Sequence, residues 1–391
     1  MRVTHVITRL VIGGAQENTI ATVLGLSSKP GVEVDLIAGP TTGPEGSLES
    51  AFADCPGLLS IVPPLVRPVH PLKDVLAYVQ LARLLGRRSP DIVHTHSGKA
   101  GVLGRLAARR AGVPVIIHHI HGPSFGPFQG RLANWIFTAA ERGAAKVTTH
   151  FVCSANAMTR LYLAAGIGRP EMYTRVFSGF PVEPFLNTSN DPTLRAKLSF
   201  APEHFVIGKI ARLAPLKGHG DLLAAIRSLL PQCPGARLLL LGDGPLRAQL
   251  EARALALGLK DKVVFTGQVP PGQVARYVGI MDCLAHLSAR EALSRALPQA
   301  LAASKPVVAY DFDGADEICF DHETGFLVRM GDVATVTRRL LELARDPGKR
   351  ERFGRRGRRF VQEHFPVELM VDKLYGIYLQ LLRRHLERCE R

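Results

Sequence analysis

Short β-rich runs alternate with helical runs along the whole of this 391-residue chain, and that alternation leaves few folds open. RVTHVITR (2–9), VEVDLIAG (32–39), DIVHTH (91–96), VPVIIHHIH (113–121) and KVTTHFVCS (146–154) read as strands. Between them, PLKDVLAYVQLARLLGRR (71–88) and SGKAGVLGRLAARRAG (97–112) have helical periodicity. Strands joined through helices make βαβ units and hence a parallel sheet. A turn-rich stretch, FSGFPVEPFLNTSNDP (177–192), breaks the rhythm, and a second series follows: HFVIGKIARL, ARLLLLGDG, DKVVFTG, DCLAHLS, KPVVAYD and TGFLV. The expectation is two doubly wound α/β domains, 1–180 and 181–365. The amphipathic run FPVELMVDKLYGIYLQLLRRHLER (365–388) then forms a closing helix within 366–391.

Composition removes several function classes. No stretch approaches the ~18 uninterrupted apolar residues of a membrane span, and the first residues lack the apolar core and cleavage site of a signal peptide. Cys55, Cys153, Cys233, Cys283, Cys319 and Cys389 are scattered without a C-x-x-C pair, which suits reduced thiols in a cytoplasmic protein. The net charge of +15 draws anionic partners or marks an Arg-rich solvated surface. With no aromatic stacking platform or zinc finger, nucleic acid is not among the expected partners.

In doubly wound sheets ligands collect beyond the carboxyl ends of the strands, and a cleft between two such domains is lined by both sets of strand-end loops. The unusual residues fall in those loops. KIARLAPLKGHGDLL (209–223) ends a strand with Arg212 and supplies Lys217 five residues later, before a Gly-flanked helix start. A forked guanidinium, an ammonium point charge and free helix N–H groups together suit a diphosphate, with two incidental surface cations as the alternative. LLLLGDGPLRAQL (238–250) sets Gly242 and Gly244 in a turn, for close backbone approach or for the turn alone. In HLSAREALSRALPQALAASKPVVAYD (286–311), Glu291 and Ser294 precede a helix. Gln299, about two turns beyond Glu291, can face the same cleft.

In the first half, RLVIGGAQENTI (9–20) carries Gly13 and Gly14 between strand and helix, a phosphate-loop signal without the three-glycine dinucleotide spacing. His94, His96, His118, His119 and His121 gather at the ends of two neighbouring strands. Alternate side chains should point apart and no cysteine or carboxylate is near, so no metal is expected and a polar wall is, with His121 its best single candidate. DFD (311–313) looks like an acidic metal pair, but a turn with a local Asx hydrogen bond explains it equally.

Taken in order, these segments resemble the retaining glycosyltransferases of family 4. The resemblance is carried by the Gly-Gly-Ala turn at 13–15, VHTHSGKAGVLGRLAARRAGVPVIIHHIHG, ARLAPLKG, LLGDGP, VVFTG and KPVVAYDFDGADEICFDHETGFLV. It implies the GT-B fold: two Rossmann-like domains facing across a cleft, the last helix crossing back to the first domain. It implies a nucleotide-sugar donor on the C-terminal domain and an acceptor on the N-terminal one. Arg212 and Lys217 would hold the diphosphate, Glu291 the transferred sugar, the Gly13-Gly14 turn would lie by the phosphates, and His121 beside the reacting sugar. No metal or other cofactor would be needed, since fixed cations stabilise the leaving diphosphate. Two residues depart from the pattern: Ala292 stands where glycine is usual, and Gln299 replaces a glutamate that accepts from the ribose hydroxyls. An amide oxygen still accepts, without the charge.

The expected activity is retaining transfer of a hexose or N-acetylhexosamine, from a UDP-sugar by preference, to an acceptor hydroxyl on a carbohydrate or lipid-linked molecule. Arg67, Lys73, Arg83, Arg87 and Arg88 flank an apolar helical pattern, which would place the protein against an anionic membrane surface at the inner face of the plasma membrane. The competing readings are a silent nucleotide-binding subunit that regulates a partner, and a GT-B epimerase using the same diphosphate site.

Overall fold

The computed structural model describes residues 1–41, 46–55, 57–126 and 128–390. They divide into two compact units, Met1–Phe180 with Val367–Arg391, and Pro181–Pro366. The first holds β1 (Arg2–Ile7), β2 (Glu33–Ala38), β3 (Leu59–Ile61), β4 (Ile92–His96), β5 (Val115–Ile120), β6 (His150–Cys153) and β7 (Tyr173–Arg175). The second holds β8 (Phe205–Ile210), β9 (Ala236–Leu241), β10 (Val263–Phe265), β11 (Cys283–His286), β12 (Val307–Tyr310) and β13 (Gly325–Val328). The sheet orders are β3-β2-β1-β4-β5-β6-β7 and β10-β9-β8-β11-β12-β13, parallel throughout. These are two Rossmann-like domains, and the strand order reverses between β1 and β4 and between β8 and β11. At such a switch point neighbouring connections leave on opposite faces, so a crevice opens at the carboxyl ends of those two strands.

The central strands are apolar on both faces because helices cover both, as in β5, where all six residues are buried. In the first unit one face packs Ile7, Ile92 and Ile117 against helix Gly14–Ser27 and the closing helix Val367–Cys389. Met370, Val371, Leu374, Tyr378 and Leu381 of that closing helix are buried there, each worth roughly 1.5–3 kcal/mol. Gly25 makes the approach possible: a Cβ there would sit 2.5 Å from a Val371 methyl. The opposite face packs under Pro71–Arg88 and Gly98–Arg110. There a Cβ on Gly101 would stand 2.4 Å from His118 Cε1, which fixes His118 on that side.

Candidate functional site

In the second unit the loops after β8 and β11 meet at the switch point. Ala289 N–H donates to Leu216 O at 2.8 Å. Gly218 (φ +67) lies so close to β11 that a Cβ would come within 1.8 Å of Leu287 O, so only glycine fits. Lys217, half-buried between the loops, donates to Arg290 O at 3.3 Å and pairs with the Glu291 carboxylate. Arg212 is exposed, five residues earlier in the same loop. The fold brings together Lys217 and Glu291 from positions 74 residues apart.

Asp313 supplies the third support. Its carboxylate accepts the Glu291 backbone N–H at 2.6 Å, and burial raises it to about 6. The DFD segment therefore tethers the Glu291 loop, 22 residues distant, rather than making a local Asx turn. Glu291 and Ser294 precede a helix as expected, and only the placement of Gln299 relative to Glu291 is corrected. The helix begins only at Ala296 and runs to Ala302, so Glu291 and Ser294 sit in an irregular loop and the two-turn spacing to Gln299 does not apply. Tethers to Asp313 and Lys217 hold residues 289–291 out of the helix. Ala292 is buried without left-handed backbone, which accounts for alanine being tolerated there.

Gly242 (φ +132) and Gly244 (φ +159) have a structural task. Cβ atoms there would lie 2.3 and 2.5 Å from Ala211 O and Leu213 O, so the Gly-Asp-Gly turn lets the chain close on the Arg212 loop. Leu213 N–H returns a bond to Asp243 O at 2.9 Å. The close approach is to the chain's own backbone.

Three residues at this switch point were not legible as site residues. Lys209, fully buried on β8, has an ammonium without a partner among the described residues, and burial next to Lys217 pushes it down to about 7. His286 ends β11 with Nδ1 3.5 Å from Ser294 Oγ and is kept neutral by burial. His219 Nε2 lies 3.0 Å from Arg212 O, and burial lowers it to about 4. Lone histidines and lysines inside strand-like text carry no spacing signal.

In the first unit, Gly13 and Gly14 open the helix Gly14–Ser27 with no side-chain cap, so its first N–H groups are not taken by a capping side chain. Gly13 is extended and its Cβ would meet only the flexible Gln16 amide, so its backbone does not require glycine. The histidines behave differently from expectation. Parallel register sets His5 beside His94, and His96 beside His119. His5, His94, His96, His119 and His121 thus share one face, while His118 alone points to the other. Alternation separated only His118, because i and i+2 residues on adjacent parallel strands superpose. Nδ1 of His5 is 2.9 Å from Nε2 of His96, and Nδ1 of His96 is 2.9 Å from Nε2 of His121. His94 Nδ1 meets the Tyr378 hydroxyl of the closing helix at 2.5 Å. Burial drives His5 down to about 3 and holds His94, His96 and His119 well below the usual imidazole range, so these rings are neutral at pH 7. A cavity of about 540 Å3 lined by Arg109, Lys146, Arg169 and Arg384 opens at the other end of β5 and β6, away from these residues.

Two family models cover the chain between them: a glycosyl transferase 4-like domain over residues 13–176, and glycosyl transferases group 1 over 190–360. The chain is a family 4 glycosyltransferase. It is 26% identical over 325 residues to the UDP-Gal:alpha-D-GlcNAc-diphosphoundecaprenol alpha-1,3-galactosyltransferase of Escherichia coli, covering 82% of this chain and 83% of that one. It is 29% identical over 332 residues to the putative glycosyltransferase EpsD of Bacillus subtilis, covering 81% and 84%. Anabaena Alr3699/HepE, solved in complex with UDP-glucose, superposes with a TM-score of 0.81 at 20% identity, over 97% of this chain and all of that one. The GT-B fold of this glycosyltransferase follows, and its carboxyl-end loops are where its chemistry is to be sought.

One charge expected at the surface is engaged instead. Arg88 pairs with Asp35 at 2.5 Å and donates to Ser60 Oγ at 2.6 Å, whereas Arg67, Lys73, Arg83 and Arg87 are exposed. Among the described residues no helix is long and apolar enough to cross a membrane.

Proposed function

We propose that this glycosyltransferase moves a hexose or N-acetylhexosamine from a UDP-sugar to an acceptor hydroxyl with retention at the anomeric carbon, and without a metal. The observation that carries the reading is the assembled triad of Lys217, Glu291 and Asp313 beside Arg212 at the β8/β11 switch point. Arg212 and Lys217 take the diphosphate, replacing the charge that a cation would supply to the leaving group. Glu291, held by its tethered backbone, accepts from hydroxyls of the transferred sugar. Gln299 accepts from the ribose, and Ser294 and the glycine-shaped loop of Gly242 and Gly244 line the nucleotide side. Asp313 is spent on a backbone N–H, which favours a donor site run on fixed cations. In this reading the first unit contributes its uncapped helix start at Gly13-Gly14 as a phosphate contact and His121 as a contact of the reacting sugar. UDP-sugar use is supported by the E. coli relative's UDP-Gal donor.

The same relative acts on a diphosphoundecaprenol-linked sugar, and the acceptor unit here has a surface for such a molecule. Leu72, Val75 and Leu76 are exposed on Pro71–Arg88, as are Leu132, Trp135 and Ile136 on Arg131–Ala145, among Lys73, Arg83, Arg87 and Arg131. Apolar side chains ringed by cations suit the interface of an anionic leaflet. A screen of UDP-, GDP- and ADP-sugars read by nucleotide release tests the donor, with UDP-sugar turnover expected and turnover of GDP-sugars alone overturning it. Sedimentation with vesicles tests the surface: binding should need anionic lipid and fade with salt, and no binding at low salt would point to a soluble acceptor.

A further inference from the structure

The five imidazoles that share one face of the first sheet are more than a polar wall. His5, His96 and His121 form a hydrogen-bonded chain that passes through both nitrogens of His96. Their ring centroids are 5.1 and 5.2 Å apart and their planes differ by 14° and 21°, while each linking N···N distance is 2.9 Å. The centroid distance exceeds the N···N distance by about the full sum of the two ring radii, so each bond runs along the line of centres between nearly coplanar rings. That is in-plane, well-aligned hydrogen bonding. His94 and His119 lie alongside: His94 stacks on His96 with centroids 4.5 Å apart, and His119 on His121 at 3.9 Å. The nitrogens of His5, His94 and His96, and of His96, His119 and His121, come within 4.8 Å of one another, near enough to suggest a metal. Stacked rings send their lone pairs in parallel directions instead of converging, and the chain's facing nitrogens already bond each other.

A chain of neutral imidazoles has one proton per ring and therefore two possible directions. Its inner end decides between them. His5 Nε2 is buried with no partner among the described residues. Protonated there, it would be an orphaned N–H in the core; bare, it is an unfilled acceptor, the less rare of the two defects. The proton of His5 thus sits on Nδ1 and is donated to His96 Nε2, and His96 Nδ1–H is donated to His121 Nε2. We propose that His5 and His96 are positioning residues that lock His121 as its Nδ1–H tautomer, so that it meets a hydroxyl of the transferred sugar as a donor. This deepens, and rests on, the reading of His121 as a sugar contact.

Long-range 1H–15N correlation on protein labelled with 15N-histidine, with His121 identified by its loss in His121→Ala, reads the tautomer directly. Wild-type His121 should be protonated at Nδ1 and bare at Nε2. In His5→Leu the His121 signals should move toward a tautomer mixture, with kcat down about tenfold and donor KM held. His5→Asn, whose amide N–H falls near the position of Nδ1–H, should restore both. An Nε2–H tautomer in the wild type overturns the proposal even if no variant folds. So does an unchanged tautomer in folded His5→Leu, or a stoichiometric metal whose chelation shifts the histidine signals. Full transfer by His121→Ala would instead sink the sugar contact, and the tautomer, measured without substrate, keeps that failure distinct from failure of the lock.

Discussion

The two switch points have the same backbone topology and opposite electrostatics. At β1/β4 the crevice is filled by imidazoles that burial keeps neutral. At β8/β11 neutral His286 and His219 are joined by ions: Lys217 pairs with Glu291, and the Asp313 carboxylate accepts the Glu291 backbone N–H. A neutral ring can be buried with one hydrogen bond, whereas a charge needs a counter-charge or water. That is why the first cluster sits within a strand face and the second on loops. The contrast also fits two tasks, since a diphosphate needs charge and sugar hydroxyls need aimed neutral donors.

The largest expected effect tests the charged side. Lys217→Ala and Arg212→Ala should each remove a charge-assisted contact of about 1.5–3 kcal/mol, lowering kcat/KM roughly ten- to hundredfold. His121→Ala should lower kcat while leaving nucleotide affinity in place. Both cation variants transferring sugar at wild-type rates, while folded, would erase the distinction between the two crevices.

A pH experiment sharpens it. In the unfolded chain His5, His94, His96 and His119 gain protons near pH 6.5, and in the folded one only far lower. Stability of the first unit therefore falls as pH drops below about 6.5, by at most about 1.4 kcal/mol per pH unit for each ring. Lys209 shifts the other window: it takes a proton near 10.5 unfolded and about 7 folded. Its contribution is greatest above 10.5, falls as pH drops toward 7, and is flat below. His286 and His219 give the second unit the same trend with two rings instead of four, so hydrogen-exchange protection, corrected for intrinsic rates, should fall more steeply with pH in β1, β4 and β5 than in β8 and β11 between pH 7 and 5. Equal slopes in both units would break the comparison.

What the sequence revealed follows the same line. Two runs of alternating strand and helix text gave the doubly wound fold because apolar periodicity is local. Arg212, Lys217 and Glu291 were legible because they follow strands at loop positions. The role of Asp313 was not, since a bond from a side chain to a backbone 22 residues away has no spacing rule. His5 was missed for a like reason: its place beside His94 depends on the pairing of β1 with β4, and only register puts them on one face. The two-turn spacing from Glu291 to Gln299 does not hold because, although EALSRA has good helical propensity, the Asp313 and Lys217 contacts keep the Glu291 segment out of the helix.

The Asp313 tether gives the next effect in size. Asp313→Ala should free the Glu291 N–H and lower kcat/KM by about tenfold, the loss of one short hydrogen bond to a carboxylate. Asp313→Asn, which keeps an acceptor oxygen, should retain most of the activity. Equal damage by both would mean that charge, rather than the tether, is what Asp313 provides.

The smallest effect concerns Gln299, half-buried in the short helix Ala296–Ala302 with its N–H bonded to Arg295 O at 3.1 Å. An amide oxygen accepts from a ribose hydroxyl at roughly half the strength of a carboxylate. Gln299→Glu should therefore tighten UDP several-fold, about 1 kcal/mol, with kcat nearly unchanged. The position lies in the first turn of its helix, where a carboxylate is also favoured by the helix dipole by about 0.3–1 kcal/mol. Titrating UDP by calorimetry alongside the melting temperature without nucleotide separates the two. A gain in melting temperature with no gain in affinity would place Gln299 away from the ribose. Wild-type protein that binds UDP, turns over no donor in a broad acceptor screen and gains turnover only with Gln299→Glu would favour the silent-subunit reading. The intact Lys217–Glu291–Asp313 arrangement argues for an active enzyme with a weaker handle on its donor.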